Sequence, residues 1–445
     1  MDQPGISLKT YFQLLEQTDT LVNRGQVTRV VGNVIEAAGP AVQLGELCTL
    51  LCGDHVCRAE VAGFREHTVL LMPLDEMVGV RAGTPVVATG QPQLFPVGEE
   101  LLGRILDPFG QPLDSLPAPI TAHRYPLDRD PPSPLSRKRI TEVLPLGVRA
   151  VDMLLTCGRG QRVGIFSGSG IGKSTLLGMM ARNAQADVNV IALVGERGRE
   201  VREFIEKDLG EEGLRRSVVI AVTSDQPALM RIKGAYAATS VAEYFRDQGL
   251  DVLLMLDSVT RFAMARREIG LSIGEPPATR GYPPSMYALL PRLLERSGTS
   301  DRGSITALYT VLVEGSDMDE PVADTVRGIL DGHIVLSRDL ATRNHYPAVD
   351  VLQSISRLAN DLISPRHRQA VAWLREMMAI YHEAEDMIQI GAYAKGSSKE
   401  VDAAIAAWPG IRSFLRQEIE EPAEFEVSLK ALCKLAGIKE SPLIS

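Results

Sequence analysis

Three groups of residues in this chain carry side chains suited to phosphate chemistry. The first is GIFSGSGIGKST, residues 164–175, in which small residues lead into Gly172, Lys173, Ser174 and Thr175. An apolar run, RVGIF, stands directly before it and a helical pattern, LLGMMARN, directly after. In such a strand-loop-helix setting the backbone N–H groups of Ser169, Gly170, Ile171 and Gly172 can turn inward on phosphate oxygens, and the following helix adds its positive end. Lys173 then reaches the β- and γ-phosphates, and the Ser174 hydroxyl meets Mg²⁺ with Thr175 beside it. The usual pattern has glycine five residues before Gly172, where this chain has Ser167. That position needs a small side chain so that the strand can leave tightly, and serine meets the need.

The second group is Asp257, which closes the apolar run DVLLMLD. A carboxylate at the carboxyl edge of a sheet can hold the water shell of Mg²⁺. The third is VGERGREV, where a strand pattern ends at Gly195 and presents Glu196, Arg197, Arg199 and Glu200. Triphosphate hydrolysis needs a group that orients or deprotonates the attacking water, and Glu196 is the candidate. Glu200, Arg202 and Glu203 read instead as a solvated cluster at a helix start. Cys48, Cys52 and Cys57 around His55 invite a metal reading, but their spacing matches no zinc pattern, and the segment alternates like a strand pair turning at Gly53-Asp54-His55.

The elements that must hold these groups are legible in outline. After Gly147 the runs RVGIF, VNVIALV, SVVIAV, DVLLML and SITALYTVLV alternate with helical patterns, which predicts a parallel sheet covered on both faces. Before it, short alternating runs such as QVTRVVGNVI, AEVAGF and HTVLLMPL predict a small antiparallel β-barrel. YPLDRDPPSPLSRKRI reads as an extended connector, and from Ser364 the strands give way to a helical tail. At 445 residues the chain exceeds one ordinary core. Its net charge of -9 argues against bulk attraction to nucleic acid or anionic lipid. Residues 25–96 hold only Phe64 and Phe95 as aromatics, too few for a base-stacking surface. No apolar run approaches roughly 18 residues, and the start lacks the order of a secretory signal, so a cytoplasmic protein is expected. Five cysteines fit a reducing compartment.

Longer strings are more specific. GERGREV, AEYFRDQG, GEPPATRGYPPS, GSITALYTVLVEGSDMDEPVAD, ILDGHIVLSR and HYPAVDVLQSISR together resemble the ATPases of the bacterial flagellar type III export apparatus, which are related to the subunits of rotary ATP synthases. The resemblance runs from about Leu8 to Leu435, and GSGIGKSTLLGMMARN, GAYAKGS and WPGIRSFLRQ lean toward the flagellar branch over the injectisome branch. It implies an α/β fold with a RecA-like P-loop ATPase core over residues 97–363. An N-terminal β-barrel over 25–96, preceded by a partner-binding amphipathic helix over 1–24, and a C-terminal α-helical domain over 364–445 complete it.

The resemblance also implies ATP and Mg²⁺ as ligands and hydrolysis by a homohexameric ring that energises or prepares flagellar proteins for export. An injectisome secretion ATPase and a rotary ATP synthase catalytic subunit are the alternatives. Its residue roles fall on Lys173 and Ser174 for phosphate and Mg²⁺, Glu196 for the attacking water, Arg197 for local support and Asp257 for the metal. Arg357 in QSISR matches an arginine finger that reaches the neighbouring subunit's γ-phosphate, and Tyr346 in NHYPAVD matches a ring that packs on adenine, with Phe414 as a second candidate. Implied partners are a stator-like regulatory protein at the N-terminal helix, a central stalk protein, export gate proteins and chaperone-cargo complexes, with no nucleic acid. The implied location is the cytoplasm, peripherally on the inner membrane at the export apparatus.

Overall fold

The computed structural model describes residues 23–313 and 317–438, in two compact units. The helix expected over residues 1–24 falls outside the described residues for 1–22, and Arg24 already opens the first strand. One unit, ending its main stretch at Gln93, holds six antiparallel strands. These are β1 (Arg24–Val31), β2 (Val34–Ala38), β3 (Glu46–Cys52), β4 (His55–Arg65), β5 (Thr68–Pro73) and β6 (Pro85–Pro92). They close in the order β1-β2-β5-β4-β3-β6, with β6 pairing back onto β1. Period-2 alternation fills the interior: along β3, Cys48 and Leu50 are buried while Leu51 faces out. QVTRVVGNVI, which reads as one alternating run, folds back at Gly32-Asn33 into β1 and β2.

The β3–β4 hairpin turns where the alternation placed it, pairing Cys52 with His55. Cys48 and Cys57 lie in the barrel core, where burial pushes their thiols up to about 12 and about 11. Among the described residues no cluster of His, Cys, Asp and Glu could hold a metal ion.

The second unit is built on a nine-stranded sheet. The five strands expected from the sequence are all present: β10 (Arg162–Ser167), β11 (Val188–Glu196), β12 (Ser217–Thr223), β13 (Asp251–Asp257) and β15 (Ser304–Leu312). They run parallel in the order β10-β15-β13-β11-β12. Sequence periodicity missed the edges. β8 (Ile105–Leu106) extends the sheet beyond β12, and β16 (Gly332–Leu336) extends it beyond β10. β17 (Val349–Ser356) runs antiparallel to β16, and β14 (Gly298–Thr299) antiparallel to β15. Outside this sheet β7 (Leu94–Val97) pairs with β9 (His123–Pro126), so the proline-rich connector begins as a strand.

Eight helices support the sheet and the residues at its edge: α1 (Arg149–Leu154), α2 (Lys173–Asn183), α3 (Gly198–Glu203), α4 (Ala228–Asp247), α5 (Arg338–Thr342), α6 (Pro365–Gln389), α7 (Lys399–Leu415) and α8 (Phe425–Leu435). Helix α4 packs on β11, β12 and β13, its small residues Ala235, Ala238 and Ala242 fully buried against the sheet. The C-terminal helices α6, α7 and α8 share one continuous core with the sheet, joining Leu374, Phe414 and Leu432 to Leu253 and Met255. Among the described residues no helix is long and apolar enough to cross a membrane. Because the central strands are parallel, the ends at Ser167, Glu196 and Asp257 emerge on one edge of the sheet, where α/β folds bind ligands.

Candidate functional site

β10 is a buried run flanked by β15 and β16, so the chain must leave the sheet at Ser167. Ser167 is 2% exposed, which explains why only a small side chain fits there. Residues 168–172 then loop into α2, with Gly172 as N-cap in the left-handed region at φ 89°. No side chain caps α2, so its first-turn N–H groups are open to an anion. Ile171 is buried beneath the loop, which leaves its backbone as the part that can serve a ligand. The Ser169 carbonyl accepts a 3.5 Å bond from Arg338 at the start of α5. The Asp208 carboxylate, in a π-helical turn at Phe204–Leu209 beside α2, lies near Thr175.

Lys173, Asp257 and Glu196 converge at the sheet edge. The Lys173 ammonium hydrogen-bonds Asp257 Oδ1 and stands 3.6 Å from Glu196 Oε1. Burial would lower the lysine pKa, but the Asp257 and Glu196 carboxylates outweigh it and raise it, so the charge is held. Asp257 is 3% exposed and also accepts from Thr310 Oγ1 at 2.7 Å. Glu196 is pushed up to about 7, first by burial and then by repulsion from Asp257, against the pull of Lys173. Its Oε1 is buried with no hydrogen-bond partner among the described residues. A carboxylate in that state can accept a proton near neutral pH.

Gly195 is needed immediately before it. Its φ is 72°, and a Cβ there would stand 2.9 Å from Cβ of Arg261. Arg261, which the sequence reading passed over, has a buried Nε without a hydrogen-bond partner among the described residues. Only the fold shows it, since a lone arginine inside a helical pattern carries no signal.

A cleft of about 500 Å³ lies beside the loop. Gly170, Gly172 and Thr175 form one wall, Tyr346 and Pro347 another, and residues 416–419 a third. The Tyr346 ring reaches to within 3.4 Å of the position a Gly172 Cβ would take. Gln417 ties the third wall down: its N–H donates to the Tyr346 carbonyl at 3.0 Å and its side-chain amide to the Gly147 carbonyl at 2.9 Å. In the sequence its first two residues close the string WPGIRSFLRQ, but no pattern there ties the segment to a nucleotide. Phe414, the second aromatic candidate, is buried in the core with the Arg149 guanidinium 5.9 Å from its ring, while Ile419 lines the cleft.

Two further candidates lie apart from the cluster. Arg197 is the N-cap of α3, with its side chain 81% exposed and 3.7 Å from Glu200. Arg357 follows β17, whose Ser356 pairs with Gly332 at the start of β16. It therefore sits at the amino edge of the parallel strands, about 20 Å from the phosphate loop at about 3.3 Å per residue. Its guanidinium reaches the Arg327 carbonyl at 3.4 Å, and no carboxylate pairs with it among the described residues.

The site and fold agree with what the chain is similar to. The model of the ATP synthase alpha/beta family nucleotide-binding domain matches residues 147–356, the family's beta-barrel domain matches 27–90, and the T3SS EscN ATPase C-terminal domain matches 363–434. The flagellum-specific ATP synthase of Bacillus subtilis is 54% identical over 96% of this chain and 98% of its own length. A type 3 secretion system ATPase of Xanthomonas euvesicatoria is 51% identical over 92% of this chain and 93% of its own. The structure of the assembled ATPase EscN in complex with its central stalk EscO, from enteropathogenic E. coli, superposes with TM-score 0.86 at 44% identity, covering 93% of this chain and all of that one. These matches, over nearly the whole chain, place the protein in the ATP synthase alpha/beta family, among the ATPases of flagellar and type III secretion systems.

Proposed function

We propose that this chain hydrolyses Mg²⁺-ATP at the interfaces of a homohexameric ring, and that hydrolysis energises or prepares flagellar proteins for type III export. The observation that carries the chemistry is the buried Glu196 carboxylate, whose Oε1 makes no hydrogen bond among the described residues and stands 3.6 Å from the Lys173 ammonium, beside the phosphate loop. Loop N–H groups of residues 169–172 and the ammonium of Lys173 bind and orient the triphosphate, and Glu196 takes a proton from the attacking water. Ser174 and Asp257 offer the hard oxygen donors that suit Mg²⁺, which when bound neutralises charge on the β- and γ-phosphates. Arg261 adds a second cation at the carboxylate end of the strand, and Arg197 keeps a supporting role at the head of α3. Tyr346 packs on the adenine.

Arg357, too far from its own loop, serves the neighbouring subunit, which makes a ring the working form. The central stalk EscO seen with EscN supports a central stalk protein here, and residues 1–24 are assigned to a stator-like regulatory protein. Export gate proteins and chaperone-cargo complexes complete the set, with the ring cytoplasmic and peripheral to the inner membrane. The match of the EscN-type C-terminal domain supports an export ATPase over a rotary synthase subunit. A chromosomal Glu196→Gln allele in the host tests the branch. Loss of the flagellar filament with effector secretion intact supports the flagellar reading; the reverse overturns it in favour of the injectisome.

Two kinetic results follow from the geometry. Because the carboxylate form of Glu196 is the active one, kcat/KM is expected to fall roughly tenfold per pH unit as pH drops below about 7. The residual rate of Glu196→Gln should lack this limb in a pH-rate profile. Tyr346→Ala is expected to raise KM for ATP by about five- to thirtyfold, the value of about 1–2 kcal/mol for lost stacking, while Tyr346→Phe stays near wild type. Steady-state ATP titrations of the two variants check it.

A further inference from the structure

Behind the wall that carries Tyr346 lies a second cavity, of about 300 Å³, enclosed by α5, β17, α6 and α7. Its walls are largely apolar, with Leu340, Met378, Leu415 and Trp408 among them. Trp408 is held flat against Tyr381, with ring centroids 4.0 Å apart and planes 7° from parallel. His345 also lines the cavity. It is 7% exposed, and its imidazole has no hydrogen-bond partner among the described residues. Its ring nitrogens are not sealed from solvent and open on the cavity, where water or a ligand can meet them.

The charges around the cavity separate into satisfied and available ones. Glu385 is taken by Arg343 at 2.6 Å, and His382 stands 3.4 Å away. The Asp350 carboxylate accepts from two backbone N–H groups and from Gln353. Asp339 is exposed. Arg412 lines the cavity, and no carboxylate pairs with it among the described residues. The imidazole is pushed down to about 4, first by burial and then by Arg416 and Arg412, so the charges it feels are both positive and it stays neutral at pH 7.

We infer that this cavity is a binding site for a small planar aromatic carboxylate, its ring lying among Trp408, Met378 and Leu340 and its carboxylate meeting Arg412 and the N–H of His345. Size fits: about 300 Å³ is at the lower end of small-molecule pockets and admits a single ring with its acid group. Charge also fits, since Arg412, exposed at the cavity mouth with no carboxylate partner among the described residues, would attract an anionic ligand and repel a cationic one. The site is separate from the ATP cleft, but His345 precedes Tyr346 directly, and Arg416, which lines the ATP cleft, donates to the Arg343 carbonyl at 3.4 Å. Occupancy is therefore placed to alter how tightly nucleotide is held, and nucleotide to alter occupancy by the same factor.

The chain has two tryptophans, so Trp373→Phe leaves Trp408 as a single reporter in the full-length protein. Benzoate titrated against this variant is expected to change the Trp408 emission saturably, with a midpoint on the order of 1 mM for so small a ligand. The change should persist at saturating Mg²⁺-ADP and be weakened at least tenfold by Arg412→Gln, whose thermal midpoint checks that it folds. Benzylamine should give no saturable change. The inference is overturned if benzoate produces none, if Arg412→Gln binds it as well as its parent, if benzylamine binds equally, or if ADP abolishes the signal. None of these outcomes depends on turnover, so the ATPase reading stands or falls separately.

Discussion

Glu196→Gln is expected to lower kcat by about 10²–10⁴-fold while ATP still binds, because the amide keeps the shape of the side chain and loses its capacity to take a proton. The expectation rests on position and protonation together. Glu196 ends β11 at the edge where the phosphate loop emerges, and it is 3.6 Å from the ammonium that the loop presents. The same substitution should not unfold the protein. A carboxyl raised to about 7 in the folded chain contributes stability that is full below its ordinary value near 4.5 and lost as pH rises through about 7. Glutamine removes that loss along with the repulsion from Asp257. Thermal midpoints of wild type and variant should therefore diverge in favour of the variant between about pH 5 and 8, given that pH dependence of stability follows the protons bound. Turnover within tenfold of wild type, with nucleotide binding intact, would remove Glu196 from the role of base.

Arg357→Ala is expected to cost about 10³-fold or more in kcat, the range for a cation that meets transition-state charge on a transferring phosphoryl group. Within one chain the residue cannot do this, since β17 returns antiparallel and delivers it to the edge opposite Lys173. The effect must then act between chains, and mixing distinguishes this from simple misfolding. Arg357→Ala and Lys173→Ala chains, each nearly inactive alone, should recover activity when combined, because some interfaces pair an intact Lys173 site with an intact Arg357. Wild-type activity per chain should also rise with protein concentration as rings form, followed by light scattering in the same samples. If the mixture stays inactive and wild-type activity is flat with concentration, catalysis across a subunit interface is refuted.

Sequence alone marked the candidate chemical groups and the succession of the central strands. Gly172-Lys173-Ser174 after a buried run, Asp257 closing another and Glu196 closing a third are local patterns, and strands and their ends are written in periods of a few residues. The five central strands were legible because each is buried on both faces and so reads as an unbroken apolar run. Their order in the sheet, the short edge strands β8 and β14, and the reversal of β17 were not, because pairing between strands far apart in sequence depends on contacts that leave no period behind.

The tertiary structure decided which side chains meet. It gathered Lys173, Glu196 and Asp257 into one buried cluster, yet left Arg197 facing solvent and put Phe414 in the core in place of the cleft. It also brought residues 416–419 and Arg261 to the site, a part that no sequence pattern assigns to them. The protonation of Glu196 belongs to this second class. A glutamate at a strand end has an ordinary pKa in any unfolded chain, and only burial beside a second carboxylate, against the pull of Lys173, raises it to where it can serve as a base at neutral pH.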